Sequence, residues 1–159
     1  MPAAASVGAL VLDASVVLTR LLDDEVGSYA ASVLDFARDG DLELWAPALW
    51  SFEVANALLQ AVRRDCLTKA DADAAATLVA SLDVRLAPLS TGECLADVRA
   101  TAASHGLTVY DAAYLHVARR LDAPLATLDE ALARAARREH RFFEVAPTAD
   151  EEPETQPPM

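Results

Sequence analysis

The sequence predicts an α/β fold in which a mostly parallel sheet of four to five strands carries helices on both faces. Short apolar runs alternate along the chain with longer segments of helical periodicity, which is typical of this fold class. Residues 8–13 (GALVLD) form an unbroken apolar run closed by an acid, as expected of a strand buried on both faces. Hydrophobic residues make up 53% of the 159 residues, which is enough for one domain with a substantial core.

Turn and capping residues set the boundaries of the elements in the first half of the chain. Acidic residues at 23–25 mark a polar turn, and Gly40 is a helix stop. Pro47 is expected at a turn or at a first helical position. Thr68 and Asp71 have the spacing of a capping box. The expected elements are a strand at 8–13, helices at 14–22 and 26–38, a strand at 42–46, and helices at 48–64 and 68–82.

The second half repeats these signals. Ser90 with Glu93 and Thr108 with Asp111 have the same capping spacing, and Gly106 stops the helix between them. The expected elements are a strand at 84–89, helices at 90–106 and 109–121, a strand at 125–128, a helix from Asp129 to about 138, and a strand at 141–145.

Composition restricts the function classes. The formal net charge of -12 argues against avid non-specific binding of nucleic acid, because such proteins neutralise phosphates with basic residues. Residues 148–159 contribute four acids and no base, and four of the eight prolines follow Ala146. We therefore expect a domain at 1–147 and a disordered acidic, proline-rich tail at 148–159.

The sequence gives no sign of a membrane or secretory segment. No apolar run approaches the ~20 residues that a membrane span needs. Residues 7–12 are too short for the core of a signal peptide and lack a basic flank. The two cysteines have neither metal-type nor redox-type spacing. We therefore expect a cytoplasmic protein with no membrane partner.

Four acids fall where a site on a parallel sheet is expected. Asp13 and Asp129 directly follow predicted strands, and ligands bind at the carboxyl ends of such strands. Asp111 opens a helix just after the Gly106 break and should face the same end. Glu53 lies in an otherwise apolar helical stretch, where an unpaired carboxylate is costly, so it needs a cation, a proton or a hydrogen-bonding partner.

Helix capping alone also accounts for the aspartates. Asp13 and Asp129 each precede a helix, and Asp111 completes a capping box with Thr108. Converging acids would, however, repel one another and raise each other's pKa unless a cation lay among them. Lys69, the only lysine, is not placed to be that cation, and the three histidines show no ligand spacing. A divalent metal with oxygen ligands, Mg²⁺ or Mn²⁺, is the natural counter-ion.

Four segments around these acids resemble one family, the PIN-domain ribonucleases, and within it the VapC-type toxins of bacterial toxin–antitoxin pairs. They occur in the family's order and cover the chain from about residue 7 to residue 145. The resemblance implies a PIN-like three-layer fold, with Asp13, Glu53 and Asp111 as core metal ligands and Asp129 as a fourth, looser acid. The matching segments are LVLDAS (10–15), SFEVANAL (51–58), TVYDAAYLHVA (108–118) and LATLDEAL (125–132).

The same resemblance points to polar residues that support the site. Ser15 and Thr127 match small hydroxyl positions, and Thr127 shares a strand face with Asp129. Asn56 follows Glu53 by three residues on the same helical face and matches a polar position of the family. Ordinary hydrogen bonding to the local backbone is the alternative for all three.

The resemblance implies a divalent-metal-dependent endoribonuclease that uses Mg²⁺ or Mn²⁺ to hydrolyse RNA. It also implies a cognate antitoxin whose basic C-terminal segment covers the acids, and a homodimer, as is common in the family. Arginines that could approach RNA could equally form a solvated helix face. They are Arg119, Arg120, Arg134, Arg137, Arg138 and Arg141.

Three other functions compete with this interpretation. A catalytically silent PIN-like domain that binds RNA or protein would keep the fold without the chemistry, although all four acids are present. A haloacid-dehalogenase-type phosphatase usually has DxD at its first strand, where this chain has Ser15. A receiver domain needs a late strand-end lysine, and no lysine follows Lys69.

Overall fold

A computed structural model describes residues 8–22, 27–40 and 42–145. The turn expected at 23–25 and the tail expected at 148–159 lie outside these residues. The described elements follow the predicted alternation of strands and helices. They are β1 (Gly8–Leu12), α1 (Ala14–Leu22), α2 (Ser28–Asp39), β2 (Leu42–Pro47), α3 (Leu49–Arg63), α4 (Lys69–Ala80), β3 (Arg85–Ala87), α5 (Thr91–Glu93), a π-helical turn (Cys94–Val98), α6 (Arg99–His105), α7 (Val109–Arg120), β4 (Leu125–Ala126) and α8 (Glu130–Arg138).

The described strands form one four-stranded parallel sheet in the order β3-β2-β1-β4. In the register, Leu10 of β1 faces Leu44 of β2, and Val11 faces Leu125 of β4. From β1 the chain builds the sheet outward through β2 to β3, and β4 then returns to the other side of β1. The strand order therefore reverses between β1 and β4, and their carboxyl ends meet where α/β folds bind ligands.

Both faces of β1 are covered. Leu10, Val11 and Leu12 point alternately to opposite faces, and all three have no exposed surface. This burial explains the unbroken apolar run, because a strand with one solvated face would alternate with polar residues. α7 packs on β1 and β2, and α1 packs with α2 and with α3. The predicted α/β architecture with a parallel sheet is confirmed.

A smaller apolar cluster lies beside this core. Val98 and Ala102 pack there against Ala112 and Ala113, so the cluster joins α7 to the segment that precedes it. None of the helices in the described ranges is long and apolar enough to cross a membrane.

The predicted strands at 84–89, 125–128 and 141–145 are longer than the observed ones. Val84 and Leu89 lie outside β3 but still pack against the core. Their apolar character therefore reflects packing rather than strand pairing. β4 ends at Ala126, and the hydroxyl of the next residue, Thr127, donates to Asp13. In place of a strand at 141–145, Phe142 makes a single parallel bridge with Leu125.

Two local predictions also need correction. Pro47 is the last residue of β2 rather than part of a turn or helix, and Ala48 is the N-cap of α3. The helix expected at 90–106 begins with the predicted Ser90–Glu93 capping box and ends at Gly106, whose φ is 66°. Between these points the chain forms the π-helical turn, for which the sequence has no glycine or proline signal.

Candidate active site

Asp13 lies at the reversal of strand order. Its backbone amide donates to the Ala126 carbonyl at 3.0 Å, which joins the end of β1 to the end of β4. Its side chain is only 6% exposed. Oδ2 accepts hydrogen bonds from the hydroxyls of Ser15 at 2.6 Å and Thr127 at 2.7 Å. The carboxylate is therefore held at a fixed position at the carboxyl edge of the sheet.

The two hydroxyls are themselves oriented by the backbone after β4. The Leu128 amide donates to Ser15 Oγ at 2.9 Å, and the Asp129 amide donates to Thr127 Oγ1 at 3.0 Å. Because each hydroxyl oxygen accepts from an amide, its proton is available to the Asp13 carboxylate. Both residues take part in the network around Asp13 as well as in local backbone bonding.

Glu53 reaches the same region from α3. Its side chain is half-buried, and Oε2 accepts a short hydrogen bond from the hydroxyl of Tyr114. Tyr114 lies on α7 with no exposed surface. The hydrogen-bonding partner that a glutamate in an apolar stretch requires is thus this tyrosine. Among the described residues no hydrogen bond reaches Glu53 Oε1.

Asp111 lies in the first turn of α7, one helical turn before Tyr114. Its amide donates to Thr108 Oγ1 at 3.1 Å, and the same hydroxyl donates to Asp111 Oδ2 at 2.7 Å. Thr108 therefore caps the helix as predicted. Within the described part of the chain, Oδ1 of Asp111 accepts no hydrogen bond, so capping engages only one of its carboxylate oxygens.

The charges of Asp13, Glu53 and Asp111 interact. Burial raises the pKa of Asp13, and the charge of Asp111 adds to that rise, while hydrogen bonds from Ser15, Thr127 and the Ala14 amide lower it. Burial also raises the pKa of Glu53, and the charges of Asp13 and Asp111 raise it further against the Tyr114 hydrogen bond. The pKa of Tyr114 is raised first by burial and then by the carboxylates of Asp13 and Glu53.

Asp129 and Asn56 stand apart from this interacting trio. Asp129 is exposed, and its Oδ1 accepts from the Leu132 amide at 2.8 Å as the N-cap of α8. The side chain thus has the capping role that was the alternative to metal binding. Asn56 is exposed on α3, and its side chain makes no hydrogen bond with any residue that the structure describes.

The donor chemistry of the trio fits a hard divalent cation. In the described ranges, none of these acids forms an ion pair with arginine, lysine or histidine. Carboxylates that lie close together without a cationic partner are stabilised by a metal ion. As their side chains are placed, no three acids, histidines or cysteines of the described residues form a group that could hold a metal ion, and one oxygen of each acid of the trio is bonded to a hydroxyl.

Sequence reasoning missed Tyr114. A signal was present, because Tyr114 follows Asp111 by three residues and so lies on the same face of α7. Tyr110 and Phe52, next to Asp111 and Glu53, were also missed. Their side chains are 68% and 79% exposed, so large aromatic surface borders two of the acids.

The arginines expected near RNA fall into two groups. Arg134 and Arg138, both on α8, form no ion pair with any of the described residues. The others are committed to carboxylates that the structure describes. They are Arg119 with Glu139, Arg120 with Glu93, Arg137 with Glu144 and Arg141 with Asp122.

Comparisons with known proteins agree with this architecture. Residues 10–138 match the PIN domain family. Ribonuclease VapC3 of Pyrobaculum aerophilum is 35% identical over 124 residues, which are 78% of this chain and 92% of that protein. The crystal structure of PAE2754 from Pyrobaculum aerophilum has a TM-score of 0.61 at 24% identity, covering 83% of this chain and 87% of that one. At this identity the structural likeness concerns the fold alone.

Proposed function

The chain belongs to the PIN-domain family, as a VapC-type member, and from that premise we propose that it is an endoribonuclease, the toxin of a toxin–antitoxin pair. The observation that carries the proposal is the trio of Asp13, Glu53 and Asp111 at the reversal of strand order, of which Asp13 is buried and the other two are partly buried. Family membership gives the reaction class, and the trio supplies oxygen ligands of the kind that metal-dependent phosphodiester hydrolysis uses.

Asp13, Glu53 and Asp111 would hold the metal, Mg²⁺ or Mn²⁺, with Asp129 as a looser acid at the rim. When bound, the ion would offset the charge of the phosphate oxygens and activate water for attack on phosphorus. The protein's own groups keep the ligands in place. Ser15 and Thr127 fix the Asp13 carboxylate, and Tyr114 fixes that of Glu53. Such supporting hydrogen bonds typically change metal affinity or activity by about 10- to 100-fold.

The proposed partners follow from the same site. RNA would supply phosphate oxygens to a metal that few protein ligands hold, so binding of metal and substrate would reinforce each other. A cognate antitoxin with a basic C-terminal segment would match a chain with a formal net charge of -12. We also expect a homodimer and a cytoplasmic location, in keeping with a toxin that acts on RNA.

The test is cleavage of a mixed pool of structured RNAs by purified protein freed of antitoxin, with Mg²⁺ or Mn²⁺ against EDTA. Asp13→Asn removes the charge and keeps the shape, and we expect it to lower cleavage by at least about 100-fold, more than loss of a supporting group would. Asp97→Asn is the matched control. Asp97 is exposed on the π-helical turn and its side chain makes no hydrogen bond or ion pair with the described residues, so cleavage should stay unchanged.

Two outcomes would contradict the proposal. Cleavage that persists in EDTA, or that Asp13→Asn and Asp97→Asn affect equally, would show that the trio does not carry the reaction. Absence of both cleavage and metal binding in a folded protein would instead leave a PIN-like scaffold that binds RNA or protein without chemistry.

A further inference from the structure

A cavity of about 530 Å³ is lined in part by Thr127, a residue that holds Asp13 in place. Thr127 and Leu128 line it where the chain leaves β4, and Arg134 and Arg137 line it from α8. The Thr127 hydroxyl donates to Asp13 at 2.7 Å. Thr127 therefore connects the cavity with the most buried carboxylate of the site.

A layer of aromatic and guanidinium planes forms part of the cavity wall. The rings of Tyr29 and Phe142 lie nearly parallel, with 14° between their planes and 5.6 Å between their centroids. The guanidinium of Arg137 lies over the Phe142 ring at 3.9 Å from its centroid. The Tyr29 hydroxyl donates to the Phe143 carbonyl at 2.8 Å, which holds the ring in place. Unpaired nucleobases stack on such aromatic and arginine surfaces.

Arg134 supplies a cation at the same wall. It precedes Arg137 by three residues, so both side chains lie on one face of α8. Two carboxylates also line the cavity, and Glu144 lies 3.4 Å from Arg137. The second, Glu130, forms no ion pair with a described residue, and neither does Arg134. Arg134 is thus the guanidinium available to an incoming phosphate, in a chain with only 13 basic residues.

We propose that this cavity binds one unpaired nucleotide of the RNA substrate, adjacent to the phosphate that is cut. The base stacks on the layer made by Tyr29, Phe142 and Arg137, and its phosphate pairs with Arg134. This inference rests on the proposed ribonuclease function and adds where the substrate is read. It predicts cleavage in single-stranded loops or ends, because a base inside a duplex cannot enter the cavity.

The experiment compares Arg134→Ala with Arg138→Ala in the full chain. Arg138 is on the same helix and is exposed, but it does not line the cavity, so it controls for general loss of positive charge. The probe is a short single-stranded RNA that contains a cut mapped with the RNA pool. We measure kcat/KM for cleavage, and the Kd at several salt concentrations in the non-cleaving Asp13→Asn background.

Loss of a charge-assisted phosphate contact should weaken RNA binding and kcat/KM by about tenfold in Arg134→Ala. The slope of log Kd against log salt should also fall by about one. Arg138→Ala should stay within about twofold of the parent, as expected for a solvated surface charge.

An abasic nucleotide placed at successive positions around the cut tests the stacking half of the proposal. One position next to the cut should weaken binding by about tenfold or more, which is the size expected for loss of a stacked base. In Arg137→Ala that penalty should shrink, because part of the stacking surface has been removed. A flat abasic scan would overturn the assignment of the base to this cavity.

The outcomes separate this inference from the proposed function. If the wild type cleaves RNA and Arg134→Ala behaves like Arg138→Ala, the cavity is not a nucleotide site, but the proposed ribonuclease function is unaffected. A wild type that neither binds nor cleaves the pool overturns both. If Arg134→Ala and a tail variant with Glu151→Gln, Glu152→Gln and Glu154→Gln both tighten RNA binding, the cavity binds the chain's own acidic segment instead.

Discussion

At the scale of the residue, the site lowers the stability of the fold because it brings negatively charged side chains close together. Asp13 is almost fully buried, and its pKa is raised by that burial and by Asp111. Its hydrogen bonds from Ser15 and Thr127 offset part of the cost of burial. Glu53 is in a similar position, with Tyr114 as its hydrogen-bond donor. Without a cation, the folded state therefore holds ionised carboxylates that the unfolded chain would hydrate freely.

Asp13→Asn should consequently raise the melting temperature in EDTA while it abolishes cleavage. The asparagine oxygen can still accept from the two hydroxyls, and the buried charge is gone. The wild type should gain about 1.4 kcal/mol of unfolding free energy at a Mn²⁺ concentration ten times its Kd, and the variant should gain much less. Thermal unfolding with and without Mn²⁺ checks both effects. A variant less stable than the wild type in EDTA would contradict this account of Asp13.

The same residues fix a direction of pH dependence. A carboxyl group with a raised folded-state pKa binds its proton more tightly when folded, so stability falls as pH rises through the interval between the unfolded and folded pKa values. For Asp13 and Glu53 that interval begins at the ordinary carboxyl pKa values of 3.8 and 4.5 and ends at their raised folded-state pKa values. In EDTA the Asp13→Asn variant should lose less stability than the wild type across this interval.

At the scale of the element, end signals are more informative than apolar runs. Thr68, Ser90 and Thr108 each cap a helix at the position that their spacing predicts. The apolar run at 84–89 predicts a longer strand than β3, because Val84 and Leu89 pack against the core without pairing to another strand. Caps depend on neighbours in sequence, whereas strand length depends on a partner strand that the local sequence does not specify.

The site also contains residues that the local sequence predicts and residues that it does not. A strand end predicts Asp13, an apolar helix predicts Glu53, and the helix start after Gly106 predicts Asp111. The structure brings these three within electrostatic reach of one another. The Asp129 side chain accepts a hydrogen bond from the Leu132 amide of α8, and the sequence could not decide between a cap and a metal ligand because both use the same residue type. The cavity wall was equally hidden, since Tyr29 and Phe142 meet from opposite ends of the chain.

Gly106 offers a test of one such end signal. Its φ of 66° lies in the left-handed region, and a Cβ there would meet no atom within 4 Å. Gly106→Ala should therefore cost about 1 kcal/mol of unfolding free energy through backbone strain alone. Gly92→Ala is the matched control, because Gly92 is helical and its nearest atom lies 3.8 Å away. It should stabilise the protein by up to about 1 kcal/mol. Urea denaturation gives both values, and equal signs would contradict the conformational argument.

At the scale of the whole molecule, a polar network joins elements behind the site. Arg119 of α7 donates to Glu139 Oε2 at 2.7 Å and to Thr101 of α6 at 2.6 Å. His105, at the end of α6, contacts Glu139 Oε1 at 2.7 Å. Glu139, at the end of α8, therefore joins this helix to α6 and α7. The Arg119 hydrogen bond is the main cause of the lowered pKa of Glu139.

Glu139→Gln should destabilise the fold by roughly 1–3 kcal/mol at neutral pH, because Arg119 loses a charged partner in a partly buried position. Glu144→Gln is the control, since Glu144 is 72% exposed and lies 3.4 Å from Arg137. It should change stability by less than about 0.5 kcal/mol. Chemical denaturation at neutral pH distinguishes the two. A Glu139 variant as stable as the control would show that the network does not hold these helices together.

A fall in pH changes the stability contributed by Glu139 in the opposite direction to that contributed by Asp13 and Glu53. A lowered folded-state pKa means that Glu139 contributes stability above its ordinary value of 4.5 and loses it as pH falls through the lowered value. The destabilisation caused by ionised Asp13 and Glu53 is relieved as pH falls toward their ordinary pKa values of 3.8 and 4.5. The free energy of unfolding in EDTA should therefore pass through a maximum in mildly acidic solution. In Glu139→Gln, the fall of this free energy on the acidic side of the maximum should be smaller than in the wild type.

The pairing of β1 with β4 also determines when the protein becomes dangerous to its own cell during synthesis. Asp13 obtains its hydrogen bond from Thr127 across 114 positions of sequence, and its amide bonds to Ala126. At about 5–20 residues per second, a ribosome needs on the order of ten seconds to make the chain between these partners. During that time the growing chain carries Asp13 without the strand that completes its setting, and Asp111 is itself made only shortly before Thr127. An antitoxin thus has an interval in which to arrive before the first cut.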